Sequence, residues 1–114
     1  MSRQHELTAL LQGEREAART QIASLDADFA TIVEASREVA TDDEHDPEGA
    51  TIAFDRQQVD AIRSHALHRL ADLDHALGQL AQGRYGICES CGEPIAAERL
   101  AARPAARTCI GCAR

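Results

Sequence analysis

Gly83-Arg84-Tyr85-Gly86-Ile87-Cys88-Glu89-Ser90-Cys91-Gly92-Glu93-Pro94-Ile95, followed downstream by Thr108-Cys109-Ile110-Gly111-Cys112, holds all four cysteines of this 114-residue chain. The spacing is C-x2-C-x17-C-x2-C. Two C-x2-C pairs set about 15–20 residues apart read as a zinc site. Each pair makes a tight turn that presents two thiolates, and the intervening segment is long enough to bring the second turn opposite the first. Four thiolates around one ion form the closed, tetrahedral shell of a structural Zn2+ site. Gly92, directly after Cys91, suits the reversal because glycine accepts a positive φ. The competing uses of these thiols are two disulfides in a secreted domain and a redox dithiol pair.

Working outward, the rest of the chain favours the metal. Met1 to Leu11 is polar and amphipathic, without the apolar core of a signal peptide. No apolar run approaches the ~20 residues of a membrane span. A cytoplasmic location is expected, where thiols stay reduced and paired C-x2-C motifs serve metals rather than disulfides. Aromatic residues make up 3% of the chain and tryptophan is absent, so a large globular core is not available. Ala, Leu, Ile and Val supply the apolar content instead, as in helix–helix packing. The net charge is −7, with nineteen acids against twelve arginines and no lysine. Duplex DNA is gripped through phosphate neutralisation by a basic face. Direct sequence-specific DNA binding is therefore not expected, and a basic protein surface is the better-matched partner.

Upstream of the cysteines run two helical patterns. Leu7, Leu11, Ala18, Ile22, Leu25, Phe29, Ile32, Ser36 and Val39 recur mostly three or four residues apart, with Glu14 interrupting. A second stripe comprises Val59, Ile62, Ala66, Leu70, Leu73, Leu77 and Leu80. Both stripes are narrow, in the manner of a two-helix seam. Each can bury the other. Arg15, Glu16 and Arg19, and on the second helix Arg56, Arg63, Asp72 and Gln79, are assigned to the outward faces. The pattern predicts a mainly α fold: a long antiparallel coiled-coil hairpin over residues 1–82, then a small C4 zinc-finger module over 83–114. A parallel dimer would use the same stripes, but the short connector favours folding back within one chain, and a monomer is expected.

That connector, Thr41 to Gly49 within a tip of about residues 41–50, carries Asp42, Asp43, Glu44, Asp46 and Glu48. Asp46-Pro47 suits an N-cap and first helical position, so the second helix begins here or at Thr51. The acids could simply cap and solvate the turn. Their clustering exceeds what capping requires, which marks them as a candidate partner-binding tip. His45 beside them could make the tip charge pH-sensitive. On the second helix His65, His68 and His75 are read as solvated side chains, although His68, Asp72 and His75 share a face. Gly83 is expected to end this helix. In the finger, Tyr85, Ile87, Ile95 and Leu100 are expected to form a small apolar core, and Ala96 to Arg103 a short helix stopped by Pro104. No nucleophile–base arrangement or phosphate loop occurs, and four thiolates leave zinc no open position. The chain reads as a non-enzyme.

Gly83-x-Tyr85-Gly86-x-Cys88-x2-Cys91-Gly92-x2-Ile95, Arg99-Leu100-x2-Arg103-Pro104 and Cys109-x2-Cys112 together resemble the C4 zinc finger of the DksA/TraR family. The resemblance implies a regulator of transcription that binds bacterial RNA polymerase. In that family the hairpin enters the secondary channel, its acidic tip approaches the catalytic centre, and the zinc module braces the hairpin base. The family tip motif D-x-x-D-x-A is matched incompletely. Starting it at Asp46 places Gly49 at the second Asp; pairing Asp43 with Asp46 places Glu48 at the Ala. No lysine is present to match family contacts to ppGpp. Apart from the resemblance, the same architecture suits a helical-hairpin protein–protein adaptor or a thiol redox or zinc-responsive switch.

Overall fold

The computed structural model describes residues 3–39 and 47–113. Their order is α1 (Arg3–Val39), α2 (Pro47–Ala81) and a short α3 (Ala97–Ala102). Helix α1 runs for 37 residues and α2 for 35. Both are rich in Ala, Leu, Gln and Arg, and α1 also in Glu, residues that lose little side-chain freedom in a helix. Helix α2 opens at Pro47, whose fixed φ and missing N–H are best tolerated at a first helical position. Residues 40–46 lie outside the described residues. With them go the tip acids Asp42, Asp43, Glu44 and Asp46, and also His45. Glu48 falls in the first turn of α2.

The chain divides into two compact units, one formed by Met1–Ala18 with His68–Arg114 and the other by Arg19–Leu67. In the first, Leu11 and Ala18 of α1 meet Leu73, Ala76 and Leu80 of α2 in one buried cluster. Leu11 and Leu73 are its largest fully enclosed side chains. The two alanines keep the helices close. Leu7, Leu70, Leu77, Tyr85 and Ala105 pack around this cluster. The pairing is antiparallel. Gln4 Nε2 donates to the Leu80 carbonyl at 3.4 Å, while Arg15 pairs with Asp74 and Glu14 with Arg69. Within this chain, residues of the two stripes bury each other.

In the second unit Ile22, Leu25, Phe29 and Ile32 of α1 are half-buried, as are Ile52 and Val59 of α2, and Ala66 is buried. Arg63 donates to the Asp26 carboxylate, and the Arg56 guanidinium lies 5.3 Å from the centre of the Phe29 ring. Both contacts again join α1 to α2 in antiparallel order.

One expectation about faces needs correction. Ile62 belongs to the expected α2 stripe, yet it is 47% exposed; Ala76, absent from that stripe, is buried. Arg15, Arg56, Arg63 and Asp72 keep much of their side chains exposed, in line with outward faces, and all four also engage partners on another segment. The reason is reach. An arginine flanking a narrow seam has a stem long enough to deliver its charge to a carboxylate on a neighbouring segment. Glu14 is met in this way by Arg69, which explains how a carboxylate fits within an apolar register.

Candidate metal centre

Helix α2 ends in a Schellman turn at Gly83, which has φ +74°. The Arg84 N–H reaches back to the Gln79 carbonyl at 2.8 Å and the Gly83 N–H to the Leu80 carbonyl at 3.1 Å. These two bonds satisfy carbonyls that the helix itself leaves open, and they turn the chain into the finger.

The first knuckle forms around Cys88 and Cys91. Ile87 and Pro94 make an isolated antiparallel bridge, the Cys88 N–H donates to the Glu93 carbonyl at 2.9 Å, and the Gly92 N–H to the Cys88 carbonyl at 2.9 Å. Gly92 adopts φ +76°, the conformation the sequence called for. The second knuckle repeats the logic in shorter form, with N–H groups of Cys112 and Ala113 bonded to the Cys109 carbonyl. Between the knuckles, α3 ends at Ala102 ahead of Pro104. Arg99 Nε donates to the Thr108 carbonyl at 2.8 Å, and the Tyr85 hydroxyl to the Pro104 carbonyl at 2.7 Å. Ile95 is buried and Tyr85 and Leu100 are half-buried, as expected for the module's core. Ile87 departs from that expectation. It is 42% exposed, and contributes to the surface of the finger rather than to its enclosed interior.

The four cysteine sulfurs converge. All four Sγ atoms lie within 4.8 Å of one another. The Cys91 and Cys109 sulfurs, one from each knuckle, are 3.8 Å apart. A tetrahedral ion with metal–sulfur distances of about 2.3 Å places its ligands about 3.8 Å apart, whereas a disulfide requires about 2.05 Å. Residue type, number and separation therefore fit one structural Zn2+ held by Cys88, Cys91, Cys109 and Cys112. Zinc supplies no reaction in such a closed shell; the cysteines hold the two knuckles at a fixed separation.

Local electrostatics favour a cation at this point. Backbone N–H groups of Cys109 and Cys91 point at the Cys88 sulfur and lower its pKa to about 6. The Cys112 thiol is pushed up to about 12, first by the Cys109 sulfur and then by those of Cys88 and Cys91. Sulfurs this close cannot all ionise against one another. A divalent ion removes that conflict and deprotonates its ligands outright.

The finger is fastened to α2 by two side-chain pairs that sequence reasoning did not identify. His75 pairs with Glu89, the residue after Cys88, and Arg107, two residues before Cys109, donates to Asp72. The two finger residues are themselves joined by the Glu89 N–H, which bonds to the Arg107 carbonyl at 2.9 Å. Asp72 and His75 are thus committed to the finger. Among the described residues the cysteine quartet is the one group positioned for a metal, so the shared helix face of His68, Asp72 and His75 does not form a second site. His65 and His68 are exposed. No helix among the described residues is long and apolar enough to cross a membrane.

Comparison with known proteins agrees with this geometry. Residues 83–114 match the prokaryotic dksA/traR C4-type zinc finger family model. The uncharacterized protein YteA of Bacillus subtilis is 38% identical over 71 residues, covering 62% of this chain and 30% of that protein. The RNA polymerase-binding transcription factor DksA of Caulobacter vibrioides is 49% identical over 37 residues, covering 32% of this chain and 26% of its own length. The chain thus spans less than half the length of these curated relatives. Transcription factor DksA2 from Pseudomonas aeruginosa superposes with a TM-score of 0.73 at 26% identity, over 97% of this chain and 81% of the other.

Proposed function

We propose that this chain, a C4 zinc-finger protein of the DksA/TraR family with a DksA-like fold, regulates transcription by binding RNA polymerase at the secondary channel. The observation that carries the reading is the combination of a family-type finger with a DksA2-like architecture over nearly the whole chain. In this proposal the helical pair is the probe, and the acidic turn with Asp42, Asp43, Glu44, Asp46 and Glu48 approaches the catalytic centre. The zinc finger is the base, held to α2 through Asp72 and His75. The chain acts without catalysis of its own, as a monomer in the cytoplasm, and without reading DNA sequence. Its net charge of −7 supports a protein partner over a nucleic acid. Because the chain contains no lysine, the proposal does not require ppGpp.

The test is transcription in vitro with polymerase from the same source, with and without ppGpp. The wild-type chain is expected to change the lifetime of promoter complexes in both conditions. Asp46→Asn is expected to abolish that effect while leaving polymerase binding largely intact. Equal loss of binding in Asp46→Asn would mean that the turn is a docking surface and not the effector.

A further inference from the structure

In the unit that contains the finger, the start of α1 and the segment from Tyr85 to Ala101 enclose a half-open groove of about 510 Å³. Clefts that take small molecules span about 300–1,000 Å³ and are mostly apolar with a few placed polar groups. This groove follows that pattern. Its walls include Leu7 and Leu10 from α1, and Ile87, Ile95 and Leu100 from the finger. No carboxylate lines it, although the chain is strongly acidic. Arg3 is its one charged residue, and no ion pair involving Arg3 occurs among the described residues. The Tyr85 hydroxyl in the wall is already committed to the Pro104 carbonyl. Leu10 of α1 and Ile87 of the finger, both in its lining, are 46% and 42% exposed, so the groove contains apolar surface that the fold itself leaves uncovered.

We propose that this groove binds a small amphipathic monoanion, a hydrocarbon tail ending in a carboxylate, with the tail between Leu10 and Ile87 and the carboxylate paired with Arg3. The charge pattern selects the ligand class. A neutral hydrocarbon would leave Arg3 unused, and a cation would meet it unfavourably. The site is separate from the cysteine quartet and independent of the polymerase reading.

Tyr85 is the sole tyrosine and tryptophan is absent, so intrinsic emission of the zinc-loaded chain reports on this groove directly. The probe is decanoate below its micellar range, compared with decanol and decylamine. Decanoate is expected to give a saturable change in emission, decanol a weaker one and decylamine none. Arg3→Gln should weaken decanoate up to about fivefold, the scale of a lost ion pair at an exposed arginine, and leave decanol unchanged. Ile87→Asp, at an exposed position, should abolish the response at unchanged zinc content and helicity. Leu10→Asp serves equally should Ile87→Asp fail to fold. Absence of saturation, an equal response to decylamine, or indifference to Arg3→Gln would each overturn the proposal.

Discussion

Arg107 Nε donates a hydrogen bond to the Asp72 carboxylate across 2.8 Å, joining a residue two positions before a zinc ligand to the last third of α2. With His75 and Glu89 as the companion pair, each knuckle has its own tie to the helix. Asp72 and Arg107 are both around 40% exposed, so solvent screens the attraction and an exposed pair contributes only about 0.2–1 kcal/mol. Asp72→Ala should therefore cost less than about 1 kcal/mol in global stability. A double-mutant cycle with Arg107→Ala in chemical denaturation should give a coupling of that size. Strict additivity would show that the pair contributes no anchorage.

Metal removal should act far more strongly than loss of either tie. Among the described residues the finger buries only Cys88 and Ile95, too little to order it unaided, and structural zinc supplies on the order of 10–16 kcal/mol of apparent binding energy. A strong chelator, or Cys112→Ser, is expected to collapse the dispersion of finger amide resonances. Far-UV circular dichroism should change little, because the finger contributes one six-residue helix. Finger resonances that survive chelation would show that the module folds on its side chains alone.

Zinc affinity should rise with pH. Cys88, held at about 6, is already a thiolate at neutral pH and becomes protonated as pH falls through that value, so acidification weakens binding. Cys112, pushed up to about 12, retains its proton across the neutral range and must release it to the medium when zinc binds. Calorimetry in buffers of differing ionisation enthalpy should report net proton release at pH 7. A heat of binding independent of the buffer would contradict this assignment.

Core truncations should follow burial rather than residue type. Leu73 is 1% exposed and Ile62 is 47% exposed. Leu73→Ala should cost about 2–5 kcal/mol, and Ile62→Ala less than about 1 kcal/mol, both read from urea denaturation. Comparable costs would mean that the second unit packs Ile62 against a surface as enclosed as that around Leu73.

The parts of this architecture carried by short-range rules were legible in the sequence. Cysteine spacing located the metal centre, Gly83 and Gly92 marked turns that need positive φ, and Pro47 and Pro104 bounded helices. The Leu11–Leu73–Leu80 seam followed from a period of three to four residues. What escaped was side-chain reach. Periodicity assigns Arg15, Arg63 and Asp72 to faces but does not say that their charged ends cross to another segment. Nor does spacing distinguish His75, committed to Glu89, from the exposed His68 seven residues earlier on the same face. Ile87 departed from expectation because spacing does not say how much of a side chain the finger covers, and 42% of it stays exposed.

In the proposed function the zinc-loaded chain binds core RNA polymerase. Gel filtration of the full chain with core RNA polymerase from the same source tests this most directly, without promoter, DNA or ppGpp. The account predicts a stable complex containing one zinc per bound chain, formed equally by Asp46→Asn and lost on chelation. Failure of the zinc-loaded wild-type chain to associate with core enzyme would contradict it.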